Sequence, residues 1–111
     1  MKIEVHADTS LSETTITNLS TLVEAGLRRF AERLTRAEVH VKNLETTRSG
    51  IQPECRLETR PAGRDPVSVT NQAATLNEAV KGAAEKMSRL LDSTFGKIDA
   101  HSGPSASGLP T

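Results

Sequence analysis

Arginine is the residue type most able to do chemistry in this chain, and it is unevenly placed. Between residues 28 and 64, Arg28, Arg29, Arg33, Arg36, Arg48, Arg56, Arg60 and Arg64 together with Lys42 set nine cations against five carboxylates. A guanidinium offers a planar fork of donors that matches a phosphate, so the bias points toward an anionic partner. A blander reading has equal weight. Glu24 with Arg28 and Glu32 with Arg36 are acid-first pairs four residues apart, which support a helix by ~0.2–0.5 kcal/mol each, and part of the charge is then a solvated face.

Catalytic chemistry finds no foothold. No Ser/His/Asp set or Gly-rich phosphate loop is legible, and paired carboxylates such as Glu54 and Glu58 occur on surfaces by default. His6, His40 and His101 are scattered along the chain and Cys55 is the single cysteine, so no metal-ligand spacing is apparent. The expectation is a non-enzyme with no catalytic residue, metal or cofactor. Cys55 has no thiolate-stabilising motif beside it and reads as a small core hydrophobe.

With 111 residues, the chain has room for one small core. Apolar residues make up 35% and aromatics 2%, so that core must be built from Leu, Val, Ile and Ala. No stretch approaches the ~18 apolar residues of a membrane span. Met1-Lys2-Ile3-Glu4 lacks the pattern of a secretory signal, and a lone cysteine agrees with a reducing compartment. A cytoplasmic protein without a membrane partner is expected. The formal charge of zero gives no global case for nucleic acid, and no DNA partner is expected.

The elements that would position the arginines follow from periodicity. Ile3 and Val5 alternate with Lys2, Glu4 and His6 as a first strand. After Ser10 or Ser12, apolar Ile16, Leu19, Val23, Leu27, Phe30 and Leu34 recur at three and four residues, which predicts one helix with Arg29, Arg33 and Arg36 on a band beside the stripe. Ala37, Val39 and Val41 give a second strand, 43–54 a polar mobile connection, and Cys55, Leu57 and Thr59 a third strand. Pro61-Ala62-Gly63 turns the chain into a fourth strand at Val67–Thr70.

Thr75-Leu76-Asn77-Glu78 has capping-box spacing and opens a second helix with a stripe of Leu76, Val80, Ala83, Ala84, Met87, Leu90 and Leu91. Gly82 weakens that helix but permits close approach to the sheet. Fraying is expected near Phe95-Gly96, leaving 1–98 as the domain and 99–111, ending in Gly, Pro, Ser and Ala, as a disordered tail. The sum is an α+β domain of two layers, β-α-β-β-β-α, with a four-stranded sheet and both helices on one face. The other face would carry Lys2, Glu4, His6, Glu38, His40, Lys42, Arg56, Glu58, Arg60, Ser68 and Thr70, mixed in sign.

Three segments carry a family resemblance: Arg33-Leu34-Thr35-Arg36-Ala37-Glu38-Val39-His40-Val41, then Glu58-Thr59-Arg60-Pro61-Ala62-Gly63-Arg64, then Ala73–Val80 continued by Glu85–Leu91. With this element order, the chain over residues 1–98 resembles the short ribosome-associated proteins of the hibernation-promoting factor and ribosome-associated inhibitor family. That resemblance implies a fold like a double-stranded-RNA-binding domain, seated on the small ribosomal subunit and its rRNA. There it would block translation and protect idle ribosomes under stress. It also implies that Lys86 and Arg89 stand at the family's RNA-contacting Lys and Arg. Arg28, Arg29, Arg33, Arg36, Arg56, Arg60 and Arg64 join them as candidate RNA-binding residues by charge clustering alone.

The chain departs from the family after Arg89. There Asp92-Ser93-Thr94-Phe95-Gly96-Lys97 replaces a Lys-rich end, and fewer phosphate contacts mean lower affinity and a shallower salt dependence. The family's additional dimerisation domain is not expected, nor the pairing of ribosomes through it. The alternative function is a protein-interaction or small-ligand regulatory module of the same fold with weak or no RNA binding.

Overall fold

The computed structural model describes residues 1–8, 10–46 and 50–102. Strand β1 (Lys2–Ala7) leads to helix α1 (Glu13–Gly26), a 3₁₀ turn (Arg28–Arg33), β2 (Leu34–Thr46), β3 (Gly50–Pro61), β4 (Val67–Gln72) and helix α2 (Leu76–Ser102). The sheet runs in the order β1-β2-β3-β4, with β1 parallel to β2 and the other neighbours antiparallel. Alternation fixes which face is covered. Ala37, Val39 and Val41 of β2 and Cys55, Leu57 and Thr59 of β3 are buried against Leu19, Val23 and Leu27 of α1 and Ala79, Val80, Ala83, Ala84, Met87 and Leu91 of α2. This is the expected α+β architecture of two layers, with both helices on one sheet face.

Helix α1 is shorter than its apolar stripe. Ser12 caps it by accepting from the Thr15 N–H at 3.1 Å, and it ends at Gly26, where an added Cβ would lie 2.7 Å from the Ala84 Cβ of α2. Beyond it, Leu27 and Phe30 stay buried on a 3₁₀ turn, whose three residues per turn hold positions three apart on one side. Leu34 then starts β2, not the end of a helix. Leu34 and Ala37 both face the core although they are three positions apart, which simple alternation forbids. A register irregularity between Leu34 and Arg36 absorbs the extra residue. The expected single helix through Leu34 is therefore corrected, and with it the helical arginine band.

The stretch 43–54, read as a mobile connection, is mostly paired strand: Asn43 faces Pro53, Leu44 Gln52, Glu45 Ile51 and Thr46 Gly50. Residues 47–49, including Arg48, lie outside the described residues. The turn after β3 uses Gly63 at φ +72°, a conformation that L side chains rarely adopt.

Helix α2 opens as its spacing predicts. The Glu78 N–H donates to Thr75 Oγ1 at 3.2 Å, and the Thr75 hydroxyl lies 2.9 Å from Glu78 Oε1. Gly82 lets the helix close on β4, because Asn71 Nδ2 sits 2.3 Å from where its Cβ would be, and that same amide donates to the Ala79 carbonyl at 3.1 Å. Fraying at Phe95-Gly96 does not occur. Phe95 is buried, its ring 5.7 Å from that of Phe30, and this tertiary anchor carries the helix to Ser102. Of the expected disordered tail, residues 103–111 lie outside the described residues. No helix among the described residues is long and apolar enough to cross a membrane.

Candidate nucleic-acid interface

Strand register sorts the uncovered face of the sheet into rows of charge. Lys2, Arg36 and Arg60 are cross-strand neighbours at one end; Glu4, Glu38, Glu58 and Ser68 form the next row, and His6, His40, Arg56 and Thr70 the next. Adjacent strands are ~4.8 Å apart, so each row is a line of side chains in mutual reach. Arg36 bridges two carboxylates, with Nη2 3.2 Å from Glu4 Oε1 and Nε 3.2 Å from Glu38 Oε2. The Arg36 charge, joined by Lys2, outweighs desolvation and holds the Glu4 carboxyl below its ordinary value.

The arginines do not form one ladder. Arg28, Arg29 and Arg33 stand on the 3₁₀ turn and Arg36 on β2, two elements with different directions. Arg33 and Arg36 share an end of the molecule with Arg60 and Arg64: the Ala62 N–H donates to the Arg33 carbonyl at 2.9 Å, tying the turn after β3 to the 3₁₀ turn, and Arg60 is the register partner of Arg36. Arg56 sits two pairs further along the open face, beside a hollow of ≈ 400 Å³ that His6, His40, Lys42 and Glu54 also line. Lys86 and Arg89 are on α2, the other layer.

Several of these cations have partners within the fold. Arg29 pairs with Asp92, reaches Ser88 Oγ at 3.3 Å and lies 4.6 Å from the Phe30 ring centroid. Arg33 stacks on Phe95 at 3.8 Å, a geometry favourable for a cation over an aromatic face. Lys86 donates to the Thr70 carbonyl at 2.9 Å. Arg28, Arg56, Arg60, Arg64 and Arg89 are exposed and have no ion-pair partner among the described residues.

The histidines are the feature that residue-by-residue reading missed. His6 and His40 are not scattered: their rings stack at 4.9 Å and 15°. Parallel pairing of β1 with β2 brings them together. The signal was present as a repeated tripeptide, Glu4-Val5-His6 and Glu38-Val39-His40, which the register aligns residue for residue. Cys55 is in the core as expected, and burial, with the Glu54 charge, pushes its thiol pKa up to about 12, so it is no nucleophile.

No protein-family model and no curated protein matches the chain. Solved structures do. The N-terminal domain of protein Y from Thermus thermophilus superposes with a TM-score of 0.65 at 12% identity, covering 85% of this chain and 99% of that one. A ribosomal subunit interface protein from Coxiella burnetii gives 0.67 at 12% identity, over 86% and 99%. This chain has the protein Y fold. The name of the second structure, a ribosomal subunit interface protein, agrees with the ribosome-associated family that the sequence resembles at 33–41, 58–64, 73–80 and 85–91. The fold places Arg60 and Arg64 at one sheet end, Arg56 further along the open face, and Lys86 and Arg89 on the helix layer.

Proposed function

We propose that this protein is a non-enzymatic, cytoplasmic, ribosome-associated regulator of translation. It binds small-subunit rRNA and promotes ribosome hibernation under stress. The observation that carries the reading is the near-complete overlap with a ribosomal subunit interface protein, 99% of which is covered by this chain. The exposed Arg60 and Arg64 at one end of the sheet supply cations able to displace counterions from phosphate, joined by exposed Arg28, Arg56 and Arg89, and none of the five has an ion-pair partner among the described residues. Arg29, Arg33, Arg36 and Lys86 already hold partners in the fold and join such a contact only by exchanging them. Recognition of this kind follows shape and backbone with little sequence readout. The domain that does this runs from β1 through α2.

Sedimentation of cell lysate at graded salt tests it. Co-migration with small subunits or whole ribosomes that is lost as salt rises supports the proposal, and free migration at low salt in both growing and starved cells refutes it. Replacing Arg60 and Arg64 by Glu should release the protein at a salt concentration where the parent stays bound.

A second reading rests on the internal pairing. Net charge is zero and Arg29 and Arg36 are neutralised by carboxylates, which fits a protein-interaction or small-ligand regulatory module of the same fold with weak RNA affinity. Salt-independent free migration would favour it.

A further inference from the structure

The open sheet face carries a second array that the ribosome reading does not use. Glu38 and Glu58 are direct cross-strand partners, an arrangement in which like charges destabilise a sheet. Glu38 has Arg36 on one oxygen, at 3.2 Å, and His40 Nε2 3.3 Å from the other. Glu58, half-buried on β3, has no cationic partner among the described residues. One donor atom from each of Glu38, His40 and Glu58 falls within 4.8 Å of the others.

We propose that Glu38, His40 and Glu58 form a binding site for a divalent transition metal of the zinc class. Two carboxylates and one imidazole are the mixed O/N donor set that such ions accept, with ligand bonds of about 2.0–2.2 Å and a fourth position left open. Donors around a tetrahedral ion of that bond length lie roughly 3.4 Å apart. The His40 Nε2 to Glu38 Oε1 separation of 3.3 Å already has that spacing, so an ion seated there binds the Nε2 lone pair with the ring proton on Nδ1, and Glu58 closes on it by a side-chain rotation. The ion would take up charge from the facing Glu38 and Glu58 carboxylates.

The surroundings are arranged to hold these ligands. Arg36 fixes the far oxygen of Glu38, and the His6 ring stacks on His40, with His6 Nε2 turned to its own Glu4 at 3.4 Å. Such outer contacts orient a ligand and fix which nitrogen is available. His6 is therefore a positioning residue and His40 the ligand. The aligned Glu-Val-His repeat on β1 and β2 builds both halves of this arrangement. Cys55 is on the covered face with its thiol protonated and takes no part.

Titration of Zn²⁺ into the full chain, followed by calorimetry and by imidazole ¹H–¹⁵N spectra, tests the site. One saturable ion per chain is expected, with the His40 resonances shifted at saturation. Both His40→Ala and the conservative Glu58→Gln should lower the affinity at least tenfold, while His101→Ala leaves it unchanged. Circular dichroism of each variant should match the parent, and Glu58→Gln keeps the shape of the side chain. Absence of saturable binding overturns the proposal. So does undiminished affinity in either His40→Ala or Glu58→Gln, or loss confined to His101→Ala. None of these outcomes depends on whether the protein binds ribosomes.

Discussion

The two faces of the sheet are made by the same strands and obey opposite rules. On the covered face, Val39, Cys55 and Leu57 are fully buried, and Thr59, the one buried polar residue among the described residues, gives its hydroxyl to Met87 Sδ at 3.4 Å. On the open face, Lys2, Glu4, Arg36 and Glu38 form a network of ion pairs, with His6 beside Glu4 and His40 beside Glu38. Exposed pairs of this kind are worth about 0–1 kcal/mol each. The covered face therefore sets stability, and the open face sets what the domain can bind.

That division can be broken by substitution. The largest effect belongs to Leu57→Ala, which empties a fully buried site under α2 and should cost about 2–5 kcal/mol in denaturant unfolding. An unchanged midpoint would mean that the helices do not cover this face as described. Gly82→Ala drives a methyl into the Asn71 amide and disturbs its bond to Ala79, for an expected loss of about 1–3 kcal/mol where helix propensity alone predicts a gain.

Surface changes should move binding and leave unfolding alone. Asp92→Asn removes the carboxylate partner of Arg29 and frees that guanidinium for phosphate. Ribosome retention should then persist to higher salt, by about one further phosphate contact in the slope, with the melting temperature shifted little. A slope no different from the parent would show that the 3₁₀ turn is not part of the contact.

The effects of pH are confined to the acid and alkaline limits. The folded Glu4 carboxyl titrates below its ordinary value of 4.5 because of Arg36. Its contribution is thus present above pH 4.5 and fades as pH falls through the lowered value. Replacing Glu4 by Gln should flatten that acid limb slightly. Cys55 acts in the alkaline range. Its thiol stays protonated in the fold to about 12 and would ionise from about 9 in the unfolded chain, so stability declines as pH rises above 9, and Cys55→Ala removes that decline.

Much of this was legible along the chain. Alternation placed Cys55, Leu57 and Thr59 inward and Glu58 and Arg60 outward, because successive side chains of a strand point to opposite faces whatever the strand pairs with. The Thr75/Glu78 cap marked the start of α2 because capping is settled within four residues. The fate of Leu27–Leu34 was not legible, since spacings of three and four suit a helix, a 3₁₀ turn or an irregular strand entry. Contact of Gly26 with Ala84 and the pairing of Leu34 with Pro61 made the choice.

Local patterning, then, determined the faces, the order of strands and α-helices and the inward cysteine. Tertiary structure decided which outward residues meet. Arg36 reaches Glu4, His6 stacks on His40, and Glu38 confronts Glu58 only because β1 and β3 flank β2 in one particular register. Register is a relation between strands distant in sequence, and the period of a single strand carries no information about its neighbour.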